Sequence, residues 1–391
     1  MIPYGRQDIS EDDIQAVVNV LNSDYLTQGP VVPAFEEAVA AYCGTRFGIA
    51  VNSATSALHI SCLALGVGKG DIVWTSPITF VASANCALYC GATIDFVDID
   101  PVTYNLSVES LTQKLEKSFI SGNMPKVVIP VHLSGQSCEM DKIKLLSQKY
   151  GFKIIEDASH GIGGKYKNEP IGSCKYSDIT VFSYHPVKII TTGEGGMCLT
   201  NDPEIALNLT HYRSHGITRQ ASEMTHVPDG PWYYQQIDLG FNYRITDIQA
   251  ALGHSQMKRL DEFVSKRHEI AQRYDEAFRD NSIITPFQHP DSYSAFHLYI
   301  VRVNTTLKGV NHLQIFEKLR TAGILVNLHY IPVYSHPYYQ NMGLYNKNDF
   351  PEAELYYSQA ISLPMHTLLT DLEQAFVIDQ ILKPSGYQNL F

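Results

Sequence analysis

Lys188 stands in a polar, Gly-rich stretch, Ser183-Tyr184-His185-Pro186-Val187-Lys188 followed by Ile189-Ile190-Thr191-Thr192-Gly193-Glu194-Gly195-Gly196, directly after the apolar run 179–182. An amine in that setting can attack a carbonyl carbon and hold it as a Schiff base, provided its pKa falls. Lysines near other cations or away from water shift readily in that direction. Upstream, Ile154-Ile155-Glu156-Asp157-Ala158-Ser159-His160 puts an acid, Asp157, at the end of a second apolar run. There it could pair with a buried protonated nitrogen, although a helix cap or a surface acid accounts for it as well. Asn52-Ser53-Ala54-Thr55-Ser56-Ala57 offers hydroxyls and backbone N–H groups at the start of a helix, a setting that suits a phosphate. An ordinary Ser/Thr cap is the plainer explanation. Phe80 opens a helix after the strand ending at Thr75, where a flat ring can stack on a flat ligand; core packing is the stronger alternative. Ser183 is a second phosphate donor or simply a strand-end hydroxyl.

Such groups are useful only if strands and helices bring them together. Ser10 caps an amphipathic helix through residue 21, and a second helix starts near Val32. Strands over 47–51, 71–75, 93–97, 126–131 and 152–156 then alternate with helices over 54–65, 80–88, 107–117 and 141–150. Short apolar strands alternating with helices predict a mostly parallel sheet covered on both faces. Ligand sites in such sheets lie beyond the carboxyl ends of the strands, where Asn52, Phe80, Asp157 and Lys188 all fall. After about residue 255 the pattern predicts a long charged helix over 257–279, an isolated strand over 298–303 and a helix over 313–322. A Pro- and Tyr-rich run at 329–339 and a helix over 371–382 complete a smaller α/β lobe.

Composition narrows the class. A formal charge of −11 argues against a general nucleic-acid surface, which needs a basic stripe. The seven cysteines are scattered and odd in number, as expected of reduced thiols in a cytoplasmic protein. Neither CxxC nor HExxH occurs, so no metal site is expected. The start of the chain lacks a signal-peptide pattern, and no apolar run reaches membrane-spanning length, so no membrane partner is expected. Gly66-Val67-Gly68-Lys69-Gly70-Asp71 precedes its strand and lacks the GK[ST] ending, and so reads as a turn. No GxGxxG follows the first strand, which disfavours a nicotinamide oxidoreductase.

In order along the chain, these segments resemble fold-type I pyridoxal-phosphate enzymes, and among them the sugar aminotransferases of the DegT/DnrJ/EryC1/StrS family. The resemblance runs through Thr27-Gln28-Gly29-Pro30, the Asn52 to Leu58 segment, Glu156-Asp157-Ala158-Ser159-His160 and the lysine run. It continues through Gly240-Phe241-Asn242-Tyr243-Arg244, His329-Tyr330-Ile331-Pro332 and Ser362-Leu363-Pro364. His-Pro-Val-Lys with Thr-Thr-Gly-Glu-Gly-Gly is most similar to the subgroup acting in pseudaminic acid biosynthesis. That subgroup aminates C4 of a UDP-linked 4-keto-6-deoxy-N-acetylhexosamine. Tyr184 stands where it more often has Phe.

The resemblance implies a large domain, residues 1–255, with a mixed, mostly parallel sheet that binds pyridoxal 5'-phosphate, and a small C-terminal α/β domain, residues 256–391. It implies Lys188 as the Schiff-base lysine and proton carrier, Asp157 as the acid facing the pyridine nitrogen, and Phe80 as the stacking ring. His160 falls near the cofactor hydroxyl. Ala54, Thr55 and Ser183 match the phosphate cradle. Asn242 matches a residue that reaches the phosphate from the neighbouring subunit, which implies a homodimer with shared active sites. Tyr4, His329 and Tyr330 match the lining of the nucleotide-sugar pocket, and L-glutamate is the implied amino donor. In the dehydratase branch of the family a histidine replaces the lysine, so Lys188 argues against that activity. Arg213, His215 and Arg244 are candidates for the diphosphate or the donor carboxylate, and equally for structural ion pairs.

Overall fold

The computed structural model describes residues 1–279, 283–304 and 311–383. Its centre is a seven-stranded sheet made of β1 (Phe47–Val51), β2 (Ile72–Thr75), β3 (Thr93–Phe96), β4 (Val127–Ile129), β5 (Lys153–Asp157), β6 (Ile179–Ser183) and β7 (Gly196–Thr200). The spatial order is β1-β7-β6-β5-β4-β2-β3. Every neighbouring pair from β6 to β3 is parallel, whereas β7 runs antiparallel to both β6 and β1. β1 therefore points the same way as β6, and its carboxyl end opens on the same edge. The inner strands β4, β6 and β7 are buried along their whole length, and β2 and β5 are buried beyond their first residue, as expected of a sheet covered on both faces.

Local sequence explains the elements that frame this edge. Ser10 and Asp13 form a capping box at the helix Glu11–Leu21. The helix Val31–Cys43 has no cap of its own. Its first N–H groups instead reach the carboxylate of Asp247, which accepts from Gly29 N (2.7 Å), Val31 N (2.9 Å) and Val32 N (3.2 Å). The helix Ala54–Ala64 is built of small residues and is buried almost all round, so it lies tightly against the sheet.

Beyond this sheet, β8 (Ile283–Ile284), β9 (Tyr299–Val303) and β10 (Ala360–Leu363) form an antiparallel sheet in that order. The strand expected to be isolated therefore has two partners, and one of them carries the Ser362-Leu363 motif. The long helix expected over 257–279 is the helix Leu260–Phe278, and a separate helix, Asp247–Met257, precedes it. They part at Arg259, whose backbone is not helical and whose guanidinium reaches Asp8 and Asp13. The helix expected from Phe80 begins at Ala82, because Ser76 Oγ accepts the Ile78 N–H and holds this stretch as a loop. The N-terminal residues join the second lobe: Ile2–Pro3 pairs with Ile324–Leu325, and Met365 N donates to Tyr4 O (2.9 Å).

Among the described residues no helix is long and apolar enough to cross a membrane, and no group of three or more potential metal ligands occurs.

Candidate active site

The carboxyl edge of the sheet and the second lobe enclose a cavity of about 560 Å³. Lys188, Ala54, Thr55, Phe80, Asp157, His160, Ser183, Tyr4, His329 and Tyr330 all line it. Asn242 does not. It is exposed on a segment bridged to Ser214, with its carbonyl near Asn52.

Lys188 lies on the connection between β6 and β7. That connection is fixed from both ends: Tyr184 N donates to Gly195 O (2.9 Å), Thr192 N to Tyr184 O (3.1 Å), and Thr191 Oγ1 to Tyr184 O (2.9 Å). The Lys188 amide donates to His185 O (2.9 Å). Burial pulls the Lys188 amine down to about 8, against the opposing pull of the Asp157 carboxylate. It is thus a far better nucleophile near neutrality than a surface lysine.

Asp157, at the end of β5, is 5% exposed. Its Oδ2 accepts from Ser83 Oγ (2.6 Å), and its Oδ1 accepts from Ser159 N (3.1 Å) and Ser159 Oγ (2.6 Å). A carboxylate has room for about four such bonds, so one further donor from the cavity can be accommodated.

The helix Ala54–Ala64 begins beside this edge. Ser53 Oγ caps it by accepting the Ser56 N–H (3.1 Å). Ala54 and Thr55 are first-turn residues whose N–H groups have no intrahelical acceptor. Gly196 lets the helix start this close to the sheet, since a Cβ there would stand 2.6 Å from both Ala54 N and Ser53 C. Ser183 is paired with Gly196 across the β6–β7 ladder, which sets its hydroxyl beside the same helix end. Along the sheet edge the order is helix N-terminus, lysine, carboxylate. An anion site, an amine and a carboxylate in that order fit the phosphate, aldehyde and ring nitrogen of pyridoxal phosphate. Phe80 is 59% exposed and presents its ring to the cavity, where it can cover a flat ligand.

Four imidazoles line the cavity, His185 on the lysine's own connection and three more, His160, His329 and His297, around it. His160 Nδ1 accepts the Ser134 N–H (3.2 Å), which places its ring proton on Nε2, 3.1 Å from Tyr330 Oη. The phenol proton of Tyr330 is then free to point elsewhere. Burial, and after it Lys188 and His329, hold His160 well below the ordinary histidine value. His329 is drawn down to about 3, first by burial and then by Lys188, and its Nδ1 lies 2.7 Å from Ser362 Oγ. Tyr4 packs its ring 5.0 Å from that of His329. The third imidazole, His297, was not singled out in the sequence. Its only signal there is a position just ahead of a strand, and the packing that brings it to Lys188 is long-range. Asn327 and Glu194 also reach the cavity without having been expected.

Of the candidate anion binders, Arg213 pairs with Glu36 and donates to Ala50 O (3.0 Å), a structural role away from the cavity. Neither His215 nor Arg244 lines the cavity.

This constellation on a mostly parallel sheet is that of a pyridoxal-phosphate enzyme. The family model for DegT/DnrJ/EryC1/StrS aminotransferases matches residues 7–382, and the chain belongs to that family. It is a sugar aminotransferase that uses pyridoxal 5'-phosphate. The spore coat polysaccharide biosynthesis protein SpsC of Bacillus subtilis is 40% identical over 97% of this chain and 96% of its own. The UDP-4-amino-4,6-dideoxy-N-acetyl-beta-L-altrosamine transaminase of Campylobacter jejuni is 37% identical, with the same coverage of each chain. The structure of the putative sugar aminotransferase Spr1654 from Streptococcus pneumoniae, in its PMP form, superposes with a TM-score of 0.87. It is 30% identical, over 97% of this chain and 98% of that one.

Proposed function

We propose that the protein transfers the amino group of L-glutamate to C4 of a UDP-linked 4-keto-6-deoxy-N-acetylhexosamine, giving a UDP-4-amino sugar for a pseudaminic acid-type glycan. The observation that carries this reading is the Lys188 amine, drawn down to about 8 and opposite the buried Asp157 in a cavity that also holds a helix N-terminus. Similarity to the Campylobacter transaminase over nearly the whole chain supports the choice of sugar.

When bound, pyridoxal phosphate supplies an aldehyde to take up the amino group and a ring that stabilises negative charge at the adjoining carbon. Every other task falls to side chains. Lys188 anchors the aldehyde, then moves the proton between the donor α-carbon and the cofactor carbon as base and acid. Asp157 keeps the ring nitrogen protonated. Ala54, Thr55 and Ser183 hold the phosphate, Phe80 covers the ring and His160 stands by its hydroxyl. Tyr4, His329 and Tyr330 face the sugar. On this reading the large domain, residues 1–255, holds the cofactor, and the small domain, residues 256–391, contributes His329 and Tyr330 to the sugar side of the cavity. Asn242 serves the active site of a second copy in a cytoplasmic homodimer, in keeping with its exposure and its place outside this chain's own cavity.

The purified protein is expected to be yellow, to lose its absorbance band on borohydride treatment, and to carry the reduced cofactor on Lys188. Lys188→Ala is expected to lose turnover; steady-state transamination by that variant would remove the lysine from the mechanism. A panel of UDP- and dTDP-linked 4-keto sugars with glutamate, read by mass spectrometry, tests the substrate. The 40% identity to SpsC favours a second reading, amination of another nucleotide keto sugar, and the same panel separates the two.

A further inference from the structure

Transamination passes a carbonyl oxygen through the cavity in each half of the reaction. Amination of the sugar joins an amine nitrogen to a carbonyl carbon, and the carbonyl oxygen departs as water with the amine's two hydrogens. Removal of nitrogen from the amino donor is the same step in reverse, with water supplying the oxygen of the keto acid. In both directions the oxygen gathers negative charge while its carbon is tetrahedral. A neutral donor already aimed at that oxygen stabilises the transition state more than the ground state.

Tyr330 carries such a donor, and the hydrogen bonds behind it fix which way its proton goes. Ser134 holds a left-handed backbone conformation (φ 63°), which is uncommon for a residue with a side chain. Gly135 follows it where a Cβ would stand 2.8 Å from His160 O and 2.9 Å from Phe296 N. This turn delivers the Ser134 N–H to His160 Nδ1 (3.2 Å). The imidazole proton therefore lies on Nε2 and is given to Tyr330 Oη (3.1 Å). A phenol oxygen that accepts in this way still has its own proton to give. No acceptor among the described residues takes that proton. Burial first, then Tyr4 and the Asp157 carboxylate, raise the Tyr330 phenol, so it stays protonated near neutrality. The tyrosine stands at the reacting end of the cavity. Its ring is 6.1 Å from that of His160, which feels the Lys188 charge, and 6.3 Å from that of Phe80. A carbon that gains or loses nitrogen must come within reach of Lys188, and its oxygen enters the same space.

We propose that the Tyr330 hydroxyl donates to the carbonyl oxygen of each keto compound, the sugar and the keto acid, as that oxygen gains negative charge, a catalytic role that rests on the aminotransferase reading above. Tyr330 keeps its proton throughout, and Ser134 and His160 act by orienting it. The test is Tyr330→Phe, which keeps the ring and loses the donor. Turnover is expected to fall about a hundred- to a thousandfold. Exchange of the α-hydrogen of L-glutamate with D₂O involves no carbonyl oxygen. Followed by proton NMR without keto sugar, it is expected to stay within about threefold of the wild-type rate. Exchange and turnover falling together would assign the tyrosine to the cofactor or to the fold and overturn the proposal; so would unchanged turnover. Should Tyr330→Phe fail to fold, the ¹³Cζ resonance of Tyr330 in the wild-type holoenzyme decides. It is expected to move on saturation with 2-oxoglutarate, and an unmoved resonance overturns the assignment. A wild-type protein that takes up no cofactor and exchanges no α-hydrogen would instead sink the aminotransferase reading itself.

Discussion

An amine shut away from water parts with its proton more readily than one in bulk solvent, and Lys188 is so enclosed. Between about 8 and the ordinary 10.5, the folded protein binds fewer protons at this residue than the unfolded chain. Stability of the cofactor-free protein is therefore expected to rise with pH across that window, and the rise should be missing from Lys188→Met. Denaturant titrations of both proteins at several pH values would check it; identical slopes would contradict the assignment. Tyr184 raises a different question. Its ring is buried against Phe35 at 5.2 Å, yet its hydroxyl has no partner among the described residues. Tyr184→Phe is expected to raise the unfolding free energy by about 1 kcal/mol with activity unchanged, since an unsatisfied buried hydroxyl is lost. A lower denaturation midpoint would show that the hydroxyl has a partner after all.

At the scale of elements, the site depends on how closely one helix approaches one strand. Gly196→Ala would press a Cβ into the backbone of Ser53 and Ala54, which cannot swing aside as a side chain can. The expected outcome is a loss of about 1–3 kcal/mol together with weaker pyridoxal phosphate binding, measured by thermal unfolding and by absorbance titration. Full cofactor affinity in that variant would detach the helix end from the phosphate. Much of this arrangement was legible in the sequence, because β1, β5 and β6 are short apolar runs that end in polar, chemically capable residues. The family motifs supplied roles that the residues taken singly left open. What escaped was set by distant partners. The start of the helix Leu260–Phe278 is set by the break at Arg259, whose guanidinium meets Asp8 and Asp13 from the far end of the chain. The Phe80 loop looks helical until the Ser76 turn is seen. His297 looks like any residue ahead of a strand.

At the scale of the whole molecule, the segment around Asn242 leaves large apolar side chains uncovered, with Trp232 and Leu239 each 75% exposed. A single copy gains little from such a surface, whereas two copies sharing active sites would bury it. Trp232→Glu is expected to shift sedimentation from dimer towards monomer and to lower activity with it; a monomeric wild type would contradict the shared site. Chain order adds a consequence in time. β1 belongs at the sheet edge beside β7, and the capless helix Val31–Cys43 waits for a carboxylate that follows Gly29 by 218 positions. A ribosome adding about 5–20 residues per second exposes those early segments for roughly ten seconds or more before their partners emerge. Until β7 is made, about 150 residues after β1, the nascent chain carries a hydrophobic strand without its ladder partner, and chaperone binding to the growing chain should concentrate there.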